Sequence, residues 1–275
     1  MTTLVPQRFG PAWRTAVGLI QHPTESTSGQ PAFLLARPVG LAATRSASMY
    51  RVLADRLVRT GATVMRFDYH GTGDSPGEEA DQSVADWARD IEEAQSCLLS
   101  ACQPAHTDWF GMGLGANLML QAALRVPRPP RRLVLWEPVT DGAAHLGALI
   151  EAHRHEMALQ LDQSWSDLIA QGLVQEPALP GSVLGFHMGP QLTNDLQTLP
   201  ALTPWLSLAT ERGMDITICV PQGSPQAWSD AMPPALKQSL HWTPLQSPTN
   251  WLSSEAMGAA VVPPELNRIL EALTR

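Results

Sequence analysis

The chain has 275 residues, of which 44% are hydrophobic and 16% are charged, and this is enough apolar material for one large domain with a substantial core. It carries 26 acidic against 18 basic residues, a formal net charge of -8, which argues against recognition of a phosphate backbone. We therefore expect no nucleic-acid partner. The N-terminal residues lack the apolar core of a signal peptide, and no stretch approaches the roughly 18 consecutive apolar residues of a membrane span.

The cysteine and histidine spacings predict neither a disulfide framework nor a metal site. Cys97, Cys102 and Cys219 are an odd number without regular spacing, which is typical of a reducing compartment, so we expect a cytoplasmic protein. His153 and His155 stand two residues apart in a predicted helix, so their imidazoles point to different faces, whereas a helical metal site uses i, i+4 spacing. We expect no metal ion.

Strand and helix patterns alternate along the chain, which predicts an α/β domain with a mostly parallel central sheet flanked by helices. Ser83, with Asp86 three residues later, has the spacing of a capping box at the start of a helix. In chain order we predict a strand at 31–38, a helix at 46–61, a strand at 62–69, the helix opened by Ser83, a strand at 107–111, a helix at 116–126, strands at 131–138, 215–222 and 239–246, and a helix at 263–275.

Residues 140–205 differ from the rest of the chain, because Ala, Leu, His and Gln dominate and strand patterns are absent. Helices inserted between two strands of a sheet are typical of a cap or lid. We therefore predict a single domain over residues 1–275, with a helical cap at 140–205.

The segment DWFGMGLGANLML, residues 108–120, combines a predicted strand, a glycine-rich turn and a helix. One chemistry that uses this arrangement is dinucleotide binding, in which the backbone approaches a pyrophosphate at the helix N-terminus. Gly111, Gly113 and Ala116 satisfy the G-x-G-x-x-[G/A] pattern, and Glu137 ends the next strand at about the distance of a ribose-binding acid. That fingerprint normally occupies the first βαβ unit, whereas two strand–helix units precede it here.

The other chemistry is the nucleophile elbow, G-x-S-x-G, in which a strained turn lifts a serine above the sheet. The corresponding residues here are Gly111, Met112, Gly113, Leu114 and Gly115. The two outer glycines match the pattern, but the central position lacks the serine.

A second motif identifies the family that the chain resembles. VMRFDYHGTGDSPGE, residues 64–78, together with Pro38, Gly40 and Arg45, resembles the α/β-hydrolases of the serine aminopeptidase-like group. The nearest branch is the bacterial exosortase A system-associated hydrolases. The resemblance covers residues 30–145 well and the C-terminal third loosely. It implies an α/β-hydrolase fold and a link to bacterial exopolysaccharide or protein-sorting systems.

An α/β-hydrolase needs a serine, an acid and a histidine in that chain order, and each of these positions can be examined in the sequence. The nucleophile position is Gly113, which has no side chain. The acid position, in the turn at 223–226, contains no carboxylate, and the next one, Asp230, comes several residues late. Glu137 is a possible substitute acid.

The histidine position is also unfilled, because no histidine follows His241, which falls inside a predicted strand. Residues 257–259, near the expected position, are Met, Gly and Ala. Three independent losses predict that serine-type hydrolase activity is absent.

Three hypotheses remain open. The first is a catalytically degenerate hydrolase that binds a small molecule or a protein partner without a cofactor. The second is a hydrolase or acyltransferase with a non-standard site, acting through His70, Glu137 or a cap histidine. The third is a dinucleotide-binding domain. Arg37, His70 and Glu137 lie at the carboxyl ends of predicted strands and are the possible pocket residues, because ligands bind at this edge of such sheets.

Overall fold

The fold is organised around one twisted, mostly parallel sheet. The structure is a computed structural model that describes residues 2–25, 29–174, 181–222, 227–246, 251–252 and 263–274. Within these ranges the strands are β1 (Thr3–Phe9), β2 (Ala16–His22), β3 (Ala32–Ala36), β4 (Thr63–Asp68), β5 (Thr107–Met112), β6 (Arg132–Trp136), β7 (Ser182–Val183), β8 (Phe186–His187), β9 (Asp215–Pro221) and β10 (His241–Leu245).

Eight of the described strands form the central sheet, in the order β1-β2-β4-β3-β5-β6-β9-β10. Strands β1 and β2 are antiparallel to their neighbours, and the remaining six are parallel to one another. The predicted α/β class with a mostly parallel sheet is confirmed. Strands β7 and β8 pair only with each other.

Helices cover both faces of this sheet. The described helices are α1 (Leu41–Arg59), α2 (Val84–Cys102), α3 (Leu114–Ala123), α4 (Gly142–Leu161), α5 (Trp165–Ala170), α6 (Pro190–Gln197), α7 (Leu202–Glu211), α8 (Ala227–Asp230), α9 (Pro234–Ser239) and α10 (Leu266–Thr274). The Ser83 side chain accepts a hydrogen bond from the Asp86 N–H, as the capping-box spacing predicts.

The sheet separates two apolar cores. Leu34, Trp109 and Leu133 point to the core under α2, α3 and α7, whereas Leu35 and Phe110 point to the core under α1 and α10. Successive residues of each strand are buried on opposite faces, which is the arrangement of a parallel sheet covered on both sides. This explains why the inner strands read as continuous apolar runs.

The first two strands of the sheet were not predicted. Strand β1 contains Pro6 and polar residues and is mostly exposed, which an edge strand tolerates. Strand β2 contains Gly18, where a Cβ atom would lie 2.9 Å from the carbonyl oxygen of Arg66 in β4. The close packing of β2 against β4 therefore requires glycine at position 18, and this glycine interrupts the apolar pattern by which a strand is recognised in a sequence.

The block at 140–205 contains α4, α5, the β7–β8 hairpin, α6 and the start of α7. The hairpin contradicts the expectation that strands are absent, and its two-residue strands are too short to give a sequence period. Helix α4 spans 20 residues, all described, and only Gly142 and Leu146 among them are buried. A Cβ atom on Gly142 would overlap the carbonyl oxygen of Leu196, so α4 starts in close contact with α6.

Candidate functional site

The candidate site lies at the carboxyl edge of the sheet, between the loops after β3 and β5. Strands β3 and β5 are neighbours in the sheet, with β4 on the far side of β3 and β6 on the far side of β5. The chain therefore leaves β3 and β5 in opposite directions, and the loops after these two strands diverge. Open α/β sheets bind ligands in the crevice that forms at such a point. A Cβ atom on Gly113 would lie 3.6 Å from the Cβ atom of Pro38, so the two loops face each other here.

The turn after β5 is a sharp strand-to-helix turn centred on Gly113. Strand β5 ends at Met112 and α3 begins at Leu114. Gly113 has φ 55° and ψ -131°, and its N–H donates a hydrogen bond of 2.9 Å to the carbonyl oxygen of Trp136. A residue with a side chain would be strained there by about 1–3 kcal/mol, a cost that glycine avoids.

The three glycines of the turn have different roles. A Cβ atom on Gly111 would lie 2.8 Å from the Cα atom of Ala116, and one on Gly115 would overlap the carbonyl oxygen of Arg37. These two positions therefore have no room for a side chain. Position 113 does have room among the described residues, because the nearest of their atoms, the Cβ atom of Pro38, is at an ordinary van der Waals distance. The turn keeps an open slot where an elbow would present its nucleophile.

The loop after β3 is held in place by two buried tyrosines. The Tyr50 hydroxyl donates a hydrogen bond of 2.7 Å to the carbonyl oxygen of Ala36, and the Tyr69 hydroxyl donates one of 3.0 Å to that of Arg37. Burial raises the pKa of both tyrosines, so both hydroxyls keep their protons. The wall of the crevice is thus fixed by hydrogen bonds that do not depend on a ligand.

A cavity of about 480 Å³ opens from these two loops. Its walls come from the loop after β3, the glycine turn, the β6–α4 connection, α4, the β7–β8 hairpin and α6. Most lining side chains are apolar, and they include Leu41, Leu114, Val139, Leu149 and Leu192. A volume of this size and character suits a small, largely apolar molecule.

Glu137 is an acidic residue beside the glycine turn at the edge of the sheet. Met112 pairs with Trp136 in the β5–β6 register, so Glu137 follows β6 beside the position of Gly113. Its backbone has φ 44°, and its Oε2 atom accepts a hydrogen bond of 3.1 Å from the Trp136 indole. Burial raises the pKa of Glu137, and Glu265 adds to the rise, whereas the Trp136 and Trp251 indoles oppose it.

Four further titratable residues line the cavity, namely Glu79, Asp141, His145 and His187, and the sequence did not single out Glu79 or His145 individually. Glu79 accepts a hydrogen bond of 2.8 Å from the His187 N–H, and burial raises the pKa of this carboxyl. His145, on α4, is largely enclosed, and burial lowers the pKa of its imidazole. Neither residue belongs to a local motif, so only the tertiary structure reveals them.

The structure separates the three predicted pocket residues. Glu137 lines the main cavity, whereas Arg37 forms an ion pair with Asp68 and lines a smaller neighbouring cavity of about 160 Å³. His70 lines neither of these two cavities. Its Nδ1 atom lies 2.8 Å from the carbonyl oxygen of Thr15, and its backbone N–H donates a hydrogen bond to the Asp90 carboxylate. His70 therefore anchors its loop to the body of the domain.

The glycine-rich loop after β4 is stabilised from within. The Asp74 N–H donates to the Asp68 carboxylate over 3.0 Å, and the Ser75 hydroxyl donates to the Asp68 carbonyl over 2.7 Å. The same hydroxyl accepts a hydrogen bond from the Val17 N–H. The loop is thus bonded to itself and to β2.

The acid and histidine positions can be placed only in part. Residues 223–226 and 257–259 lie outside the described residues. Asp230 forms an exposed ion pair of 2.8 Å with Lys237 and does not line the main cavity. His241 is a residue of β10, as predicted, and its side chain is exposed and 3.2 Å from Asp215.

Two observations on the described residues concern metals and membranes. No group of three or more His, Cys, Asp or Glu side chains in this part of the chain is arranged to hold a metal ion. None of its helices is both long enough and apolar enough to span a bilayer.

Comparisons with known proteins agree with this architecture. Residues 43–178, just under half of the chain, match the family model described as serine aminopeptidase, S33. Over 102 residues, 37% of this chain, the sequence is 40% identical to the uncharacterized proteins MT2364 and Rv2307c of Mycobacterium tuberculosis. The match spans about a third of the length of these curated relatives, 35% in each case.

Solved structures resemble the chain over nearly its whole length, although their sequences differ greatly. Est1E from Butyrivibrio proteoclasticus with bound ferulic acid has a TM-score of 0.59 and 15% identity, and covers 97% of this chain and 96% of that one. The thioesterase domain from the curacin biosynthetic pathway has a TM-score of 0.58 and 12% identity, covering 99% and 100%. A structure from a study of Nitrososphaera gargenis carboxylesterases has a TM-score of 0.61 and 14% identity, covering 96% of both chains. The chain therefore has the α/β-hydrolase fold and, over residues 43–178, the sequence features of the serine aminopeptidase S33 family.

Proposed function

We propose that this protein is a catalytically degenerate α/β-hydrolase that binds a small, largely apolar molecule and does not cleave it by serine chemistry. One observation carries the proposal. The turn that presents the nucleophile in this fold has Gly113 in its open position, yet the adjoining cavity of about 480 Å³ remains formed. Binding depends on the cavity, whereas serine-type hydrolysis depends on a hydroxyl that position 113 lacks.

The loss of the nucleophile has a large expected effect on rate. A hydrolase without its triad retains about 10³–10⁴-fold acceleration over water, from the oxyanion hole and substrate binding alone. The corresponding backbone positions here are Leu114 and the loop at 37–40. They could still polarise a carbonyl, but nothing at position 113 could attack it.

The proposal is tested by measuring binding and turnover separately. We expect 1-octanol to bind in isothermal titration calorimetry and p-nitrophenyl butyrate to show no turnover sensitive to a fluorophosphonate. Ala144→Trp should abolish binding, because Ala144 lines the cavity from α4. Ala143→Trp is the matched control, because Ala143 is exposed on the same helix and is not a cavity residue. Fluorophosphonate-sensitive turnover, or equal binding by both variants, would contradict the proposal.

We further propose the setting that the sequence resemblance implies. The exosortase-associated resemblance and the three free cysteines support a cytoplasmic protein of a bacterial exopolysaccharide or protein-sorting system. A protein partner from such a system is compatible with ligand binding. Co-purification of the chain with products of such a locus, lost in Ala144→Trp, would connect the two roles.

Glu137 favours a second candidate function, hydrolysis by an activated water. It lines the cavity beside the glycine turn, and burial raises the pKa of its carboxyl, which is the direction that makes a carboxylate a stronger base. The carboxylate would take a proton from water, the hydroxide oxygen would attack the ester carbonyl, and the alcohol would leave with a proton. Turnover that resists fluorophosphonate and disappears in Glu137→Gln would establish this candidate in place of the first.

Dinucleotide binding is less favoured by the site. Gly111 and Gly115 pack against the protein's own backbone, and a pyrophosphate at the turn would face the carboxylate of Glu137. Two negative charges that line the same largely apolar cavity repel each other. We expect no binding of NAD or NADP in the same calorimetric assay.

A further inference from the structure

We infer that the ligand of the main cavity carries a cationic amine, and that Glu137 determines this preference. The inference rests on the proposed binding function, because it concerns the charge of the molecule that occupies the same cavity. Two independent features of the cavity wall support it, namely its ionisable groups and its aromatic rings.

The ionisable groups that line the cavity are mainly acidic. Three carboxylates, Glu79, Glu137 and Asp141, are joined by two histidines, His145 and His187. No lysine or arginine belongs to the described lining of the cavity. Burial lowers the pKa of His145, which favours its neutral form at neutral pH. The ionisable side chains that line the cavity are therefore acidic rather than basic.

The two arginines closest in sequence to the loop after β3 do not line the main cavity. Arg37 is paired with Asp68 in the neighbouring cavity, and the guanidinium of Arg45 is buried without a hydrogen-bond partner among the described residues. Glu265 contributes a further negative charge, because it raises the pKa of Glu137. The charges around Glu137 thus leave its carboxylate without a cationic partner among the described residues.

Glu137 has the geometry of a ligand contact. Its Oε2 atom accepts the hydrogen bond of 3.1 Å from Trp136, and the side chain as a whole is only partly buried within the cavity wall. Burial without a cation disfavours the charged form of a carboxylate. An ammonium group beside this side chain would restore that lost stabilisation with a charge-assisted hydrogen bond.

Aromatic rings are the second feature. Trp87, Phe186 and Trp251 line the same cavity from three different parts of the chain. An ammonium group close to the face of such a ring is attracted by the ring quadrupole. Carboxylates and aromatic rings together favour a cation, and both disfavour a carboxylate ligand such as a free fatty acid. An apolar amine therefore matches the cavity in two ways, because its hydrocarbon chain suits the apolar lining and its ammonium group suits the carboxylates and aromatic rings.

The test uses three probes with the same eight-carbon chain: octylamine, 1-octanol and octanoate. At pH 7.5 we expect octylamine to bind about 10- to 100-fold more tightly than 1-octanol, as for a hydrogen bond to a charged group, and octanoate to bind most weakly. Glu137→Gln should remove most of the octylamine preference, measured as the ratio of the 1-octanol and octylamine dissociation constants within each variant. Glu79→Gln is a second variant and should reduce the preference less.

Glu78→Gln is the matched control, because Glu78 is exposed beside Glu79 and is not a cavity residue. It should behave as the wild type with all three probes. If 1-octanol binds as tightly as octylamine, or if octanoate binds best, the charge inference is wrong although the binding proposal stands. If none of the three probes binds, both the inference and the proposed function fail.

Discussion

The unequal spatial requirements of Gly111, Gly113 and Gly115 give the sharpest test of the site geometry. Gly113→Ser places a side chain in the open slot, 3.6 Å from Pro38, so its cost should be only the backbone strain of about 1–3 kcal/mol. Gly115→Ala forces a methyl group onto the Arg37 carbonyl and should cost about 3 kcal/mol or more, the upper range for overpacking.

Urea unfolding followed by circular dichroism measures this difference. Gly147→Ala is the control for a glycine without neighbours, because a Cβ atom there has nothing within 4 Å, and it should stabilise α4 by about 0.5–1 kcal/mol. Gly111→Ala should resemble Gly115→Ala. If Gly113→Ser destabilises the protein as much as Gly115→Ala does, the turn has no open slot, and the interpretation of Gly113 as a vacant nucleophile position fails.

Three further predictions concern the scaffold and the acid of the cavity. Ser83→Ala should lower the free energy of unfolding by about 1 kcal/mol, because the Asp86 N–H at the start of α2 loses its acceptor, and an unchanged urea midpoint would disprove that role. Arg14→Met should cost about 3–5 kcal/mol, because it leaves Asp90 buried without the partner now 2.8 Å away, and a loss below 1 kcal/mol would contradict this. Glu137→Gln should stabilise the protein at pH 7, because burial raises the pKa of Glu137 in the folded state. This increase in the free energy of unfolding should vanish below about pH 4.3, the pKa of glutamate in an unfolded chain. An increase that does not depend on pH would refute the burial argument.

The parts of the fold that the sequence predicted are those in which local pattern and tertiary environment agree. The inner strands are buried on both faces, so their continuous apolar runs were sufficient evidence. The glycine turn was predictable because close backbone packing and positive φ both require glycine, and Gly111, Gly113 and Gly115 show each requirement separately.

The parts that were missed depend on contacts distant in sequence. Strand β1 is a mostly exposed edge strand with Pro6, so nothing in its composition distinguishes it from a loop. Glu79 and His145 enter the cavity from a short turn and from α4, and neither has a motif around it. His70 shows why position alone does not identify a pocket residue, because it follows β4 as a possible pocket residue would, yet its Nδ1 atom lies 2.8 Å from the carbonyl oxygen of Thr15.

The weak burial of α4 has a consequence for how quickly a ligand would exchange. Helices with few buried apolar contacts open at a low free-energy cost, and only Gly142 and Leu146 of this fully described 20-residue helix are buried. The opposite wall, fixed by Tyr50 and Tyr69, lacks this freedom. The amide hydrogens of α4 should therefore exchange with solvent faster than those of α3, and the residence time of a bound molecule should follow that opening rate.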